Sequence, residues 1–151
     1  MKELKRVLYA EDNAQDIELT LAALNEYHLA NDVVVVRDGA EAWDYLSREG
    51  QYANRPTGSP AVVLLDLKMP KVDGLEVLRR MKASESLRTI PVVMLTSSRE
   101  EKDLIESYRL GVNAYVVKPV AFEDFMNSVK SLGLFWAVLN EPPPGSVRRA
   151  A

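Results

Sequence analysis

The chain has 151 residues, 47% of them hydrophobic and 27% charged, a formal net charge of -3 and no cysteine. That composition suits one domain with a sizeable core and excludes disulfides and thiolate metal sites. Arg148 and Arg149 are too small a basic cluster for nucleic acid, and neither a signal peptide nor an apolar run of roughly 18 residues is found, so a cytoplasmic protein with no nucleic-acid or membrane partner is expected.

Val7 to Ala10 is a short apolar run, read as a first strand, and Glu11 and Asp12 follow it. Asn13 is placed to cap a helix from Ala14, whose Ile17, Leu21 and Leu24 recur at i, i+4, i+7. His28, the single histidine, falls near the end of that helix, where a cation suits the helix dipole, and is read as structural. A second strand spans Val33 to Val36, followed by Arg37 and Asp38. Asp38 with Glu41 has capping-box spacing, and Trp43 and Tyr45 on the helix that follows read as packing residues. Ser47 to Pro60 is longer than an ordinary connection. The stretch AVVLLDLKMP, Ala61 to Pro70, reads as a buried third strand that ends on the carboxylate of Asp66. Asp73 then precedes a helix with apolar Leu75, Leu78 and Met81, leaving Arg79, Arg80 and Lys82 for its solvated face. A fourth strand, Pro91 to Leu95, is followed by Thr96 and Ser97, and Ser98 with Glu101 repeats the capping-box spacing. Ala114 to Val117 is the fifth strand, with Lys118 after it. A last helix from about Ala121 to Leu139 carries Phe122, Phe125, Met126, Val129 and Leu132 on one face and stops before NEPPPG.

Alternation of strand and helix predicts an α/β fold, and continuous apolar strands predict a parallel sheet covered on both faces. The residues that follow the strands then gather at one sheet edge, where such folds bind ligands. In the five-stranded order 2-1-3-4-5, Asp12 and Asp66 lie side by side. Two carboxylates about 5 Å apart repel by roughly 3 kcal/mol at an effective dielectric near 20, so Glu11, Asp12 and Asp66 call for a cation. Oxygen ligands without His or Cys favour Mg²⁺, whose usual company is a phosphoryl group. Lys118 offers that group a positive charge and Thr96 a hydroxyl.

EDN at 11–13, the strand ending on Asp66 with LKMPKVDG after it, VVMLTS through Thr96 and Ser97, and YVVKP at 115–119 together resemble the receiver domain of bacterial response regulators. The resemblance covers about Lys5 to Leu139. It implies a flavodoxin-like (CheY-like) three-layer sandwich as one receiver domain over 5–139, with a Pro-rich tail at 140–151. It further implies that Asp66 is the phosphoacceptor for a sensor histidine kinase. Asp12 and Asp66 would bind Mg²⁺ directly, Glu11 through water, and Lys68 by its backbone carbonyl. Lys118 and Thr96 would hold the phosphoryl oxygens, Thr96 and Tyr115 would form the switch, and Pro119 would follow a cis peptide bond. Such a protein is not an enzyme in the ordinary sense, but takes part in its own phosphorylation and slow autodephosphorylation, and signals through protein contacts. Lys68 and Ser98 would flank the path of water to the acyl phosphate.

The long insertion before strand three and the ending LGLFWAVLNEPPP look similar to single-domain regulators partnered with bacterial phytochromes. Leu134, Phe135, Trp136 and Val138 widen the apolar girth of helix five beyond one core face, which points to a homodimer through the helix 4–strand 5–helix 5 face or the C-terminal arm, against the alternative of a last turn packed on its own domain. Three other functions share parts of this pattern. A haloacid dehalogenase-type phosphatase needs a second acid where Lys68 stands, and a flavodoxin-like cofactor binder needs Gly, Ser or Thr where Glu11 and Asp12 would repel phosphate. A pseudo-receiver, folded but never phosphorylated, commonly lacks an acid, the threonine or the lysine, and all are present here.

Overall fold

A computed structural model of the chain describes residues 6–26, 32–56 and 58–118. Five strands, β1 (Arg6–Ala10), β2 (Asp32–Val36), β3 (Val62–Leu65), β4 (Val92–Thr96) and β5 (Ala114–Val117), alternate with α1 (Ala14–Glu26), α2 (Gly39–Ser47), α3 (Gly74–Ala83) and α4 (Glu101–Arg109). All neighbouring strands pair in parallel, in the order β2-β1-β3-β4-β5. The expected topology is the observed one. The last helix, the C-terminal tail, His28 and Pro119 lie outside the described residues. Among the described residues no helix is long and apolar enough to cross a membrane.

Because side chains alternate along a strand, each apolar strand feeds two cores. Leu8, Ala10, Val63, Leu65, Val92 and Met94 pack with Ala42, Tyr45 and Leu46 of α2 and Val77, Leu78 and Met81 of α3. Val7, Tyr9, Val62, Leu64, Val93 and Leu95 face the other way, toward Ile17 and Leu21 of α1. Burial on both sides explains why these strands read as unbroken apolar runs.

Helix starts follow local chemistry. Asn13 Oδ1 accepts from the Asp16 amide at 3.0 Å, Asp38 Oδ1 from Glu41 at 2.7 Å and Asp73 Oδ1 from Glu76 at 2.9 Å, which satisfies donors the first turn leaves open. The cap expected from Ser98 is not formed. Helix α4 starts after Glu100, with no side-chain cap bond; the Ser98 hydroxyl instead donates to Asp103 Oδ2 at 2.5 Å and accepts from the Glu100 amide at 3.4 Å.

The long connection before β3 is pinned rather than slack. A 3-10 turn occupies Gly50–Tyr52. Arg48 donates to the carbonyls of Arg55 and Pro56, and Arg55 to those of Tyr45 and Gly58. The Arg55 guanidinium also lies 4.2 Å above the Tyr45 ring, an attractive cation–π placement. Trp43 packs partly buried against the core, as expected. Arg80 departs from a purely solvated role, its guanidinium lying 5.7 Å over the Trp43 ring, and Lys82 donates to the Arg88 carbonyl.

Candidate functional site

The edge of the sheet is built by backbone bonds that carry each ladder one residue past its strand. The Asp66 amide donates to the Ala10 carbonyl at 3.0 Å, that of Glu11 to Val36 at 3.0 Å, and that of Lys118 to Thr96 at 2.7 Å. Residues distant in sequence are thereby held above one sheet edge. The loop after Asp66 closes tightly beneath it: Val72 N donates to the Pro70 carbonyl across Lys71, a γ-turn with φ 69° at the lysine, and Gly74 N donates to Leu67 at 2.7 Å.

Glu11, Asp12 and Asp66 each offer a carboxylate oxygen, and these oxygens lie within 4.8 Å of one another. Asp66 is buried, Glu11 wholly so, while Asp12 is exposed. Burial drives the Glu11 carboxyl up to about 7, with Asp66 beside it pushing the same way and Lys118 pulling back. Asp66 Oδ1 is buried and has no hydrogen-bond partner. An orphaned carboxylate oxygen next to two further acids is the donor set a hard divalent cation takes, so these residues fit Mg²⁺.

Lys118 Nζ lies 2.8 Å from Glu11 Oε1, 2.6 Å from Asp16 Oδ2 and 3.7 Å from Asp66 Oδ2. Burial alone would lower its pKa, but the Asp16 and Glu11 carboxylates raise it above the ordinary lysine value. The amine is a fixed cation. Thr96 is buried, and its Oγ1 accepts from the Ser98 amide at 3.3 Å. Tyr115, on the next strand, donates through its hydroxyl to the Ser98 carbonyl at 3.1 Å. The two expected switch residues therefore meet through Ser98. Lys68 stands two residues past Asp66 with an exposed side chain, its Nζ 3.9 Å from Asp103 Oδ2.

The sequence matches the family described as the response regulator receiver domain over residues 7–130. The chain belongs to that family. Among relatives of this receiver, response regulator Rcp1 of Synechocystis is 39% identical over 132 residues, 87% of this chain and 88% of Rcp1. The bacteriophytochrome response regulator RtBRR superposes with a TM-score of 0.82 at 62% identity, covering 95% of this receiver and 87% of RtBRR. For AtBRR, also a bacteriophytochrome response regulator, the values are 0.81 and 65%, over 93% of this chain and all of that one. A solved Mn²⁺-bound form of Rcp1 matches with TM-score 0.76 and 37% identity, over 92% of this chain and 99% of that one.

Two acids of this receiver escaped the sequence reading. Asp16 and Asp103 both sit in the first turn of a helix, where acids are common because they suit the helix dipole. Helical spacing gives no signal for Asp16, because Asp12 stands before the start of α1 and the two are not on one helix.

Proposed function

We propose that this receiver takes a phosphoryl group on Asp66 from the phosphohistidine of a sensor histidine kinase, in the presence of Mg²⁺. The observation that carries the reading is the buried Asp66 carboxylate, with one oxygen unpartnered and Glu11, Asp12 and Lys118 converging on it. In the transfer a carboxylate oxygen of Asp66 forms the new bond to phosphorus while the phosphorus–nitrogen bond breaks, its electron pair staying with the imidazole nitrogen. Asp12 and Asp66 would hold the metal directly, Glu11 mainly through water, and the backbone carbonyl of Lys68 would complete the protein set. Bound Mg²⁺ supplies positive charge against the phosphoryl oxygens during transfer. Lys118 adds a second, fixed charge, and Thr96 a hydroxyl donor.

When Thr96 turns its hydroxyl toward the phosphoryl group, its Oγ1 moves away from the Ser98 amide, and Tyr115 on the same Ser98 backbone shifts its population with it. Output then passes through protein contacts. The exposed Leu104, Ile105 and Tyr108 of α4 support a homodimer using the face of α4, β5 and the last helix, with the C-terminal arm as the other route. The bacteriophytochrome regulators among the relatives support a phytochrome-type kinase as the donor, and so a cytoplasmic setting.

Incubation with acetyl phosphate and Mg²⁺, followed by intact mass and peptide mapping, tests the reading. The expected result is a gain of one phosphoryl group on the peptide containing Asp66. No gain replaces it with an unphosphorylated interaction module, and a gain elsewhere removes Asp66 as the acceptor.

A further inference from the structure

Lys118 has three N–H donors, and its nearest partner is not the expected phosphoacceptor. Asp16 Oδ2 lies at 2.6 Å and Glu11 Oε1 at 2.8 Å, against 3.7 Å for Asp66 Oδ2. The turn of α1 that carries Asp16 is anchored from both sides. Its amide is held by the Asn13 cap, and its carbonyl accepts at 3.3 Å from the hydroxyl of the buried Tyr9, which also donates toward Thr20 Oγ1 at 3.1 Å. These bonds hold the Asp16 backbone, and from that turn its partly exposed carboxylate reaches Lys118.

Glu11 and Asp16 differ in what a metal would do to them. Glu11 belongs to the trio whose oxygens converge within 4.8 Å, whereas Asp16 stands outside that trio. A divalent cation held by the trio draws on the charge of Glu11 and leaves that of Asp16 directed at the amine. With the metal in place, Asp16 is the acid outside that trio that still competes for Lys118.

We propose that Asp16 is a positioning residue that holds the Lys118 ammonium toward α1 in the unphosphorylated protein, so that a phosphoryl group on Asp66 must take the amine from it. The inference rests on the phosphoacceptor reading of Asp66. By this contest Asp16 sets how firmly Lys118 grips the phosphoryl group. It biases the receiver toward its unphosphorylated form without touching phosphorus.

The test is a double-mutant cycle in the full chain with saturating Mg²⁺, using beryllofluoride as the phosphoryl analogue and reading its apparent Kd by NMR titration. Asp16→Asn should lower that Kd by about fivefold, the weight of one partly exposed ion pair. Asp16→Ser should do the same, and Asp16→Glu, which keeps the charge, should stay nearer the wild type. In a Lys118→Met background Asp16→Asn should have no effect, because the residue acts only through the amine. An unchanged or raised Kd in Asp16→Asn, or an equal drop in both backgrounds, overturns the proposal; the second result would mark a general charge effect. Wild-type phosphate incorporation on Asp66 from acetyl phosphate is measured alongside. Its absence sinks the phosphoacceptor reading and this inference together, whereas normal incorporation with a flat cycle sinks the inference alone.

Discussion

The Ser98 hydroxyl donates to Asp103 Oδ2 at 2.5 Å, which makes Ser98 a junction with three separate duties. Its amide serves Thr96, its carbonyl accepts from Tyr115 and its hydroxyl reaches into α4. Asp103 is buried and also has Lys68 Nζ 3.9 Å away. The loops after β3 and β4 are thus bridged by one carboxylate.

Lys68 is the outer member of that bridge, and with Asp66 as the proposed phosphoacceptor its exposed stem would flank the path of water to the acyl phosphate. Lys68→Ala should remove this cover and speed loss of the phosphoryl group by about two- to fivefold, a modest change because a single exposed ion pair at 3.9 Å fixes a side chain only weakly. Dephosphorylation after removal of excess acetyl phosphate is the measurement. Decay at the wild-type rate would dismiss a role for Lys68.

Crowding of acids gives a second expectation. With Glu11, Asp12 and Asp66 oxygens within 4.8 Å and one lysine beside three acids, Asp12→Asn or Asp66→Asn should stabilise the metal-free protein by about 1–3 kcal/mol, the order of one carboxylate repulsion at intermediate dielectric. Urea unfolding in EDTA measures this. Mg²⁺ should stabilise the wild type and do much less for either variant, and both should lose metal-dependent phosphorylation. A destabilised Asp12→Asn protein would speak against the clustered charge.

The pH dependence of the metal-free protein follows from Glu11, whose carboxyl is pushed up to about 7, chiefly by burial. Its folded pKa lies above the unfolded value, so the folded state binds the proton more tightly and stability falls as pH rises from about 4.5 to about 7. The loss attached to this residue is on the order of 2–3 kcal/mol. Comparing urea midpoints of wild type and Glu11→Gln in EDTA at pH 5 and pH 7.5 isolates it, since the glutamine variant lacks that part of the slope. Equal slopes in the two proteins would refute the assignment.

Most of the fold was legible because each strand is buried on two faces and so reads as an unbroken apolar run, as VVLL does at 62–65. Asp38 and Asp73 were legible as helix starts because a cap bond spans only three residues. Glu11, Asp12, Asp66 and Lys118 could be placed together because parallel topology delivers all strand ends to one edge. Contacts decided by tertiary geometry were not legible. The Asp16–Lys118 bond joins residues 102 apart, and no local pattern distinguishes Asp16 from any acid in a first helical turn. Ser98 was misassigned for a related reason: its hydroxyl donates to the buried Asp103 and accepts from the Glu100 amide, contacts set by where the loop places it.

Two glycines lie where backbone meets backbone around the site, and they give the sharpest structural prediction. A Cβ on Gly39 would lie 1.6 Å from the Val72 carbonyl oxygen, and one on Gly74 would lie 2.3 Å from that of Asp66. Neither neighbour is a flexible side chain, so Gly39→Ala or Gly74→Ala must push a helix start off the loop after β3. Each should destabilise by about 3 kcal/mol, near the upper end of ordinary overpacking. The two should differ in function. Gly74 abuts the backbone of Asp66 itself, so Gly74→Ala, measured under conditions where it is still folded, should also lose phosphorylation rate. Gly39→Ala should lose mainly stability, since its clash falls on Val72. Gly58→Ala is the control: its Cβ would meet nothing within 4 Å, and the cost there is only that of an alanine at φ +110°, which leaves the site alone. Urea midpoints together with acetyl phosphate kinetics separate the three, and a Gly74→Ala protein of wild-type stability would show that the α3 start is not packed against Asp66 as described.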